Sequence, residues 1–116
     1  MRRLRNHLIG LDNGELTLFS DFENGGPMWA GKGLRLSRSP ILFSERFKTP
    51  PMVQVSLSMW DMDSGPNARM EITAEDVSET GFDVVFRTWG DTRVARARAT
   101  WMAMGELRDF DEWDLY

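Results

Sequence analysis

The amino-acid sequence predicts an all-β domain, a sandwich of about six antiparallel strands, and three observations carry that prediction. Short segments alternate apolar and polar residues with a period of two. Clusters of Gly, Pro, Asn and Asp separate these segments at the spacing of a sandwich. No stretch before residue 106 repeats its apolar residues with a helical period. The length of 116 residues is that of one domain, and five Trp and seven Phe within a 41% hydrophobic composition supply a core for it.

Taken in order, Leu16, Leu18 and Phe22 alternate with Thr17, Phe19 and Asp21, and Asn24-Gly25-Gly26-Pro27 marks a turn. After Trp29, Leu34 and Leu36 alternate with Arg35, and Ile41, Phe43 and Phe47 form the next inward set. Pro50-Pro51 excludes a central-strand position, because neither residue has an N–H for a ladder. The clearest strand is residues 52–60, with Val53, Val55, Leu57 and Met59 on one face and Gln54, Ser56, Ser58 and Trp60 on the other. Residues 61–67 form a turn-rich loop; Met70, Ile72 and Ala74 then face inward, with Arg69, Glu71, Thr73 and Glu75 outward. Gly81 is expected at positive φ in the next turn. Phe82, Val84 and Phe86 alternate with Asp83, Val85 and Arg87. Trp89-Gly90-Asp91-Thr92 is a further turn. The last strand places Ala95, Ala97, Ala99 and Trp101 inward, beneath large aromatic neighbours, and Val94, Arg96, Arg98 and Thr100 outward.

Charge divides the chain. The net charge of −4 argues against a dedicated nucleic-acid binder, and residues 106–116 carry five acids and one Arg, so residues 1–105 are balanced. That division sets a domain over residues 1–105 and an acidic tail over 106–116. The absence of Cys removes disulfides, thiolate metal sites and Cys nucleophiles, and a single His, His7, removes the commonest metal ligand and general base. The apolar stretch after Arg2, Arg3 and Arg5 ends at Asp12, too early for a secretory signal, so the cytoplasm is the default location, with unconventional release or display on a particle left open. No membrane insertion is expected at a mean hydropathy of −0.40. On the last strand, Arg96 and Arg98 stand on one face about 7 Å apart. They need acids or an anion, and pairing with Glu71, Glu75 or Asp83 is preferred, with an Arg–acid subunit contact as the intermediate possibility.

The second half carries a more specific pattern. The string Ile41-x-Phe43, Phe47, Pro50-Pro51-x-Val53-x-Val55-Ser56-Leu57, Asp61, Asn67-x-Arg69, Gly81-Phe82, Thr88-Trp89-x-Asp91-Thr92-x-Val94 and Trp101-x-Ala103-x-Gly105 resembles the H-type lectin domain of snail agglutinins and discoidins. The match is dense over residues 41–105. The resemblance implies a six-stranded antiparallel β-sandwich that forms a homotrimer and binds galactose or N-acetylgalactosamine-type sugars between subunits, without a cofactor or metal. It assigns Arg69 and Trp89 to the sugar: the guanidinium fork suits adjacent hydroxyls, and the indole covers a C–H face. It also marks departures. Gly90 stands where a His is common, Ala95 where a neighbouring subunit supplies an aromatic, and Arg35, Ser37 and Arg38 where acids grip the sugar in the snail proteins. Asp91, Asp61 and Asp63 are the acceptors left for a different glycan.

Each of these residues has a plainer role open to it. Arg69 can pair with Glu71, Glu75 or an acid of another subunit. Trp89 can cap the core, and the three aspartates can serve turns. Two functions therefore stand side by side: a carbohydrate-binding module, and a structural or adaptor subunit that keeps the trimer but not the sugar pocket. An enzyme is a distant third, since Asp61 and Asp63 on one loop are weak grounds for glycosidase chemistry. In the tail, Leu107, Phe110, Trp113 and Tyr116 recur at steps of three among acids. They either fold back on the domain or another subunit, or anchor a basic groove on a protein partner.

Overall fold

The computed structural model describes residues 1–5 and 7–108, so the tail aromatics Phe110, Trp113 and Tyr116 lie outside the described residues. The elements are β1 (Ile9–Ser20), a one-turn helix α1 (Pro27–Ala30), β2 (Arg35–Leu42), β3 (Met52–Met62), β4 (Met70–Glu75), β5 (Gly81–Thr88) and β6 (Val94–Glu106). They form two three-stranded antiparallel sheets, ordered β1-β6-β3 and β2-β5-β4. The predicted six-stranded all-β sandwich is what forms. The helix α1 is an addition to it, begun by Pro27, whose fixed φ and missing N–H suit a first helical position.

The two central strands, β5 and β6, face each other through the core. Ala97, Ala99 and Ala103 are fully buried on β6, and the same cluster holds Phe43, Phe82, Phe86 and Trp101. Rings fill the space above the alanines: Phe82 meets Trp101 at 5.4 Å, edge to face, and Phe43 lies 5.7 Å from Phe82 and 5.0 Å from Phe47. This small-against-large complementarity is the one expected from the β6 sequence.

Several side chains take positions other than those expected. A bulge between Thr17 and Phe19 resets the alternation of β1, so Phe19 turns inward to meet Phe86 at 5.3 Å and Phe22 ends 58% exposed. A second bulge, between Asp61 and Met62, accompanies the burial of Val94 in the core. At the start of β2 the parity is reversed, with Leu34 and Leu36 exposed and Arg35 buried, whereas Ile41 packs on the core as expected. Gly81 does not have positive φ; it is required because a Cβ would strike the backbone of Ile41 across the β2–β5 pair. The left-handed residue of that connection is Asp76, at φ 54°.

The charged pairs are also redistributed. Arg96 pairs with Asp61 at 3.3 Å and Arg98 with Glu15 at 3.5 Å, all on the β1-β6-β3 sheet. Glu71, Glu75 and Asp83 lie on the opposite sheet and pair instead with Arg87 and Arg38. Neighbours in a ladder pair first, and no strand of one sheet is a ladder neighbour of the other.

Candidate functional site

The edge holding Arg69 is built by hydrogen bonds between two turns that the sequence places over twenty residues apart. Thr92, almost fully buried, accepts from the Arg69 N–H at 3.0 Å and donates to the Asn67 carbonyl. Thr88 donates to the Arg69 carbonyl at 2.6 Å. The entry to β4 is thus pinned against the β5–β6 turn, whose middle residues are Trp89, Gly90 and Asp91. The Arg69 guanidinium then meets Asp91 at 2.8 Å, with side-chain exposures of 36% and 63%. Trp89 is 39% exposed. Arg69, Trp89 and Asp91 therefore share one solvent-facing edge, and Arg69 chooses Asp91 over the Glu71 and Glu75 of its own strand.

Gly90 has a conformational reason. Its φ is +69°, which an L side chain adopts only with strain, and a Cβ there would lie 3.3 Å from Arg69 Nη1. The turn keeps its shape through Arg35. This buried guanidinium donates to four carbonyls: Gly33 at 3.0 Å, Met28 at 3.1 Å, Gly90 at 3.2 Å and Pro27 at 3.4 Å. Gly33 also donates to Gly90 at 3.0 Å. Arg35 is the positioning residue that sequence reading missed. Its signal was present as a charged residue inside an apolar alternation, but alternation alone does not say which parity faces the core. Arg38, on the opposite face of β2, points into an ion network and not toward this edge.

Asp61 and Asp63 are held elsewhere. Asp63 accepts from the Gly65 N–H at 3.0 Å in an Asx-type turn and pairs with Arg93 at 3.4 Å. Asp61 pairs with Arg96. Among the described residues neither forms an ion pair with Arg69. Arg93 lies 4.1 Å above the Trp29 ring and donates to the Trp29 carbonyl at 3.0 Å, so α1 is tied to the start of β6 as well as to the Gly90 turn. Ala95 is buried, and its carbonyl accepts from the Asp21 N–H at 2.7 Å.

Residues 38–104 match the H-type lectin domain family. The chain belongs to that family. Its curated relatives include the protein called ATP synthase subunits region ORF 7 of Fuscovulum blasticum, 50% identical over 107 residues and covering 92% of this chain and 93% of that one. Another is a discoidin-1 polypeptide of Dictyostelium discoideum, 31% identical over 74 residues, 63% of this chain but 29% of that protein. Among solved structures, discoidin II of Dictyostelium discoideum superposes with a TM-score of 0.74 at 23% identity, covering 90% of this chain and 39% of that one. The tailspike protein gp49 of Pseudomonas phage LKA1 follows at 0.54 and 14% identity, over 86% of this chain and 15% of that one. These superpositions establish the fold. This H-type lectin domain thus spans nearly all of the Fuscovulum relative and less than half of each discoidin.

Proposed function

We propose that this H-type lectin domain recognises a terminal galactose or N-acetylgalactosamine-type sugar, or a related one, through Arg69, Trp89 and Asp91. The observation that carries the reading is the Arg69–Asp91 pair, formed at 2.8 Å while both side chains stay open to solvent, in the same turn as the exposed Trp89. A guanidinium held by a carboxylate presents fixed donors to vicinal hydroxyls, and the carboxylate presents an acceptor beside them. The indole supplies apolar area for a sugar's C–H face. Recognition of this kind needs neither a cofactor nor a catalytic group. Asp61 and Asp63, each paired with an arginine away from Arg69, have no part in this recognition.

Single sugar contacts of this kind are weak, and a homotrimer raises their effective strength by avidity. The outer face of the β1-β6-β3 sheet supports such an assembly. Leu11, Met104 and Met52 lie in one cross-strand row beside Met102, and Leu11, Met52 and Met102 are 65%, 43% and 38% exposed. The Arg96–Asp61 and Arg98–Glu15 pairs continue the same face.

A glycan array probed with the assembled protein, followed by calorimetric titration of the best ligand, tests the reading. The expected result is a galactose-type ligand whose affinity falls about tenfold or more in Arg69→Ala, a loss of at least about 1.4 kcal/mol. Two observations favour the adaptor reading instead: Gly90 has no side chain to offer, and the buried Ala95 carries no ring. An array without any binder, or a ligand indifferent to Arg69→Ala, establishes that alternative.

A further inference from the structure

At the opposite end of β4 from Arg69, a cleft opens between the β2–β3 connection, the β4–β5 turn and the end of β6. Its volume is about 460 Å³, within the roughly 300–1,000 Å³ of ligand sites. Glu45, Arg46, Phe47 and Lys48 form one wall, and Glu79 and Arg108 complete the lining. We propose that this cleft is a peptide site, occupied within the same chain by the acidic, aromatic segment that follows Arg108, residues 109–116.

Backbone hydrogen bonds fix the walls. The Phe47 N–H donates to the Glu79 carbonyl at 2.9 Å and the Lys48 N–H to the Glu106 carbonyl at 2.8 Å, so the cleft has its shape before any peptide enters. The same region fixes where the segment starts. Leu107 packs on the core, its N–H donates to the Leu8 carbonyl at 3.0 Å, and Arg108 then lines the cleft itself. Leu107 is the first of the apolar series Leu107, Phe110, Trp113 and Tyr116, and it is already seated against the domain. Phe110 follows Arg108 by two residues, a reach of roughly 7 Å, so the cleft meets it at a local concentration on the order of millimolar. The segment of a second copy has no such tether.

Charge points the same way. Arg46 and Glu79 pair at 2.9 Å and cancel, and Lys48 and Arg108 outweigh Glu45 by one charge. Beyond Thr49 the N-terminal arm brings Arg2, Arg3 and Arg5. Against them stand Glu106, which accepts from the Arg5 N–H at 2.9 Å, and Asp12, which accepts from the N–H and the hydroxyl of Ser44. Among the described residues this end of the sandwich is therefore positive, whereas residues 109–116 carry four acids and no base. Docked here, the segment holds the cleft against other acidic peptides, and salt weakens its hold because these charges are near the surface.

Paramagnetic broadening in the full chain tests the proposal. The chain has no Cys, so a nitroxide on Thr49→Cys or on Ser64→Cys is a unique label, and the two sites are separated by the length of β3, roughly 35 Å. With 5-fluorotryptophan incorporated and the Trp113 resonance assigned by Trp113→Phe, the Thr49 label should broaden Trp113 and the Ser64 label should leave it sharp. The double substitution Lys48→Glu and Arg108→Glu should abolish the broadening while near-UV circular dichroism stays unchanged. Raising sodium chloride from about 20 mM to about 0.5 M should weaken it in the chain without those substitutions, which decides the matter should the double variant fail to fold. Chains carrying only the nitroxide, refolded together with chains carrying only the fluorine, should show less broadening than doubly labelled chains. A Trp113 resonance untouched by the Thr49 label, equally broadened by both labels, or indifferent to both charge reversal and salt overturns the proposal. Broadening as full in the mixed chains overturns it too, by placing the segment on a second copy.

Discussion

The two sheets turn very different outer faces to solvent, although both alternate apolar and polar residues in the same way. At the centre of the β2-β5-β4 face, Val85 is fully buried, between Arg38 and Thr73 in the strand register. Above it, Arg38 bonds Asp83 at 2.9 Å and Glu75 at 3.2 Å, and Arg87 bonds Glu75 at 2.8 Å. The long side chains lay their aliphatic stems over the valine while their charged ends stay wet. The β1-β6-β3 face has no such cover over its methionine end, where Leu11, Met52 and Met102 remain exposed. The centre of one face is covered by its own chain; the methionine end of the other is left open.

The largest effect expected from this contrast is on assembly. The double substitution Leu11→Glu and Met102→Glu should convert the oligomer to monomers in light scattering coupled to size exclusion, with the β-sheet circular dichroism retained. Leu36→Glu, an equally exposed leucine on the opposite sheet, should leave the oligomer intact. A wild-type chain that is already monomeric removes the contrast's functional meaning.

An intermediate effect is expected on stability. Val85→Ala removes two buried methyl groups and should cost about 2 kcal/mol in denaturant unfolding. Met52→Ala, measured in the monomeric background, should stay within about 0.5 kcal/mol, as exposed positions do. Equal losses at the two positions would show that Val85 is not covered as described.

The smallest effect concerns acid. The hydrogen bond from Thr73, followed by that from Arg87, holds the Glu75 carboxyl below its ordinary value of 4.5. A group whose folded pKa is lowered contributes stability that is complete above 4.5 and is lost as the pH falls through the folded value. Thr73→Val should therefore raise the Glu75 titration, followed by carboxyl NMR, and narrow the stability difference between neutral and acid pH. An unmoved titration would mean that the closed face is held by packing alone.

Much of this architecture was legible beforehand because strand alternation and turn chemistry are local. Residues 52–57 alternate as read, before a bulge at Ser58 sets Met59 opposite the outward Arg98, and the alanines of β6 lie under the phenylalanines and Trp101 as their sizes required. The ordered motifs from Ile41 to Gly105 pointed to the family that the comparison then established. Arg69, Trp89 and Asp91 were singled out separately, and the fold joins them through Thr92, whose own role was read only as turn chemistry. The exposure of Phe22 was not legible, because a bulge has no signature in an alternating string.

The sequence by itself determined the fold class, the strand segments, most of their inward residues and the turns that carry the candidate site, since each depends on neighbours along the chain. Only the tertiary structure decided the parity of β2, the effect of the bulges and the partner of each arginine. Alternation specifies which residues share a face but not which face meets the core; Arg35 is buried because four carbonyls from three separate segments converge on it. Charge patterning likewise supplies arginines and acids without their addresses, and the sheet order sends Arg96 to Asp61 and Arg38 to Asp83.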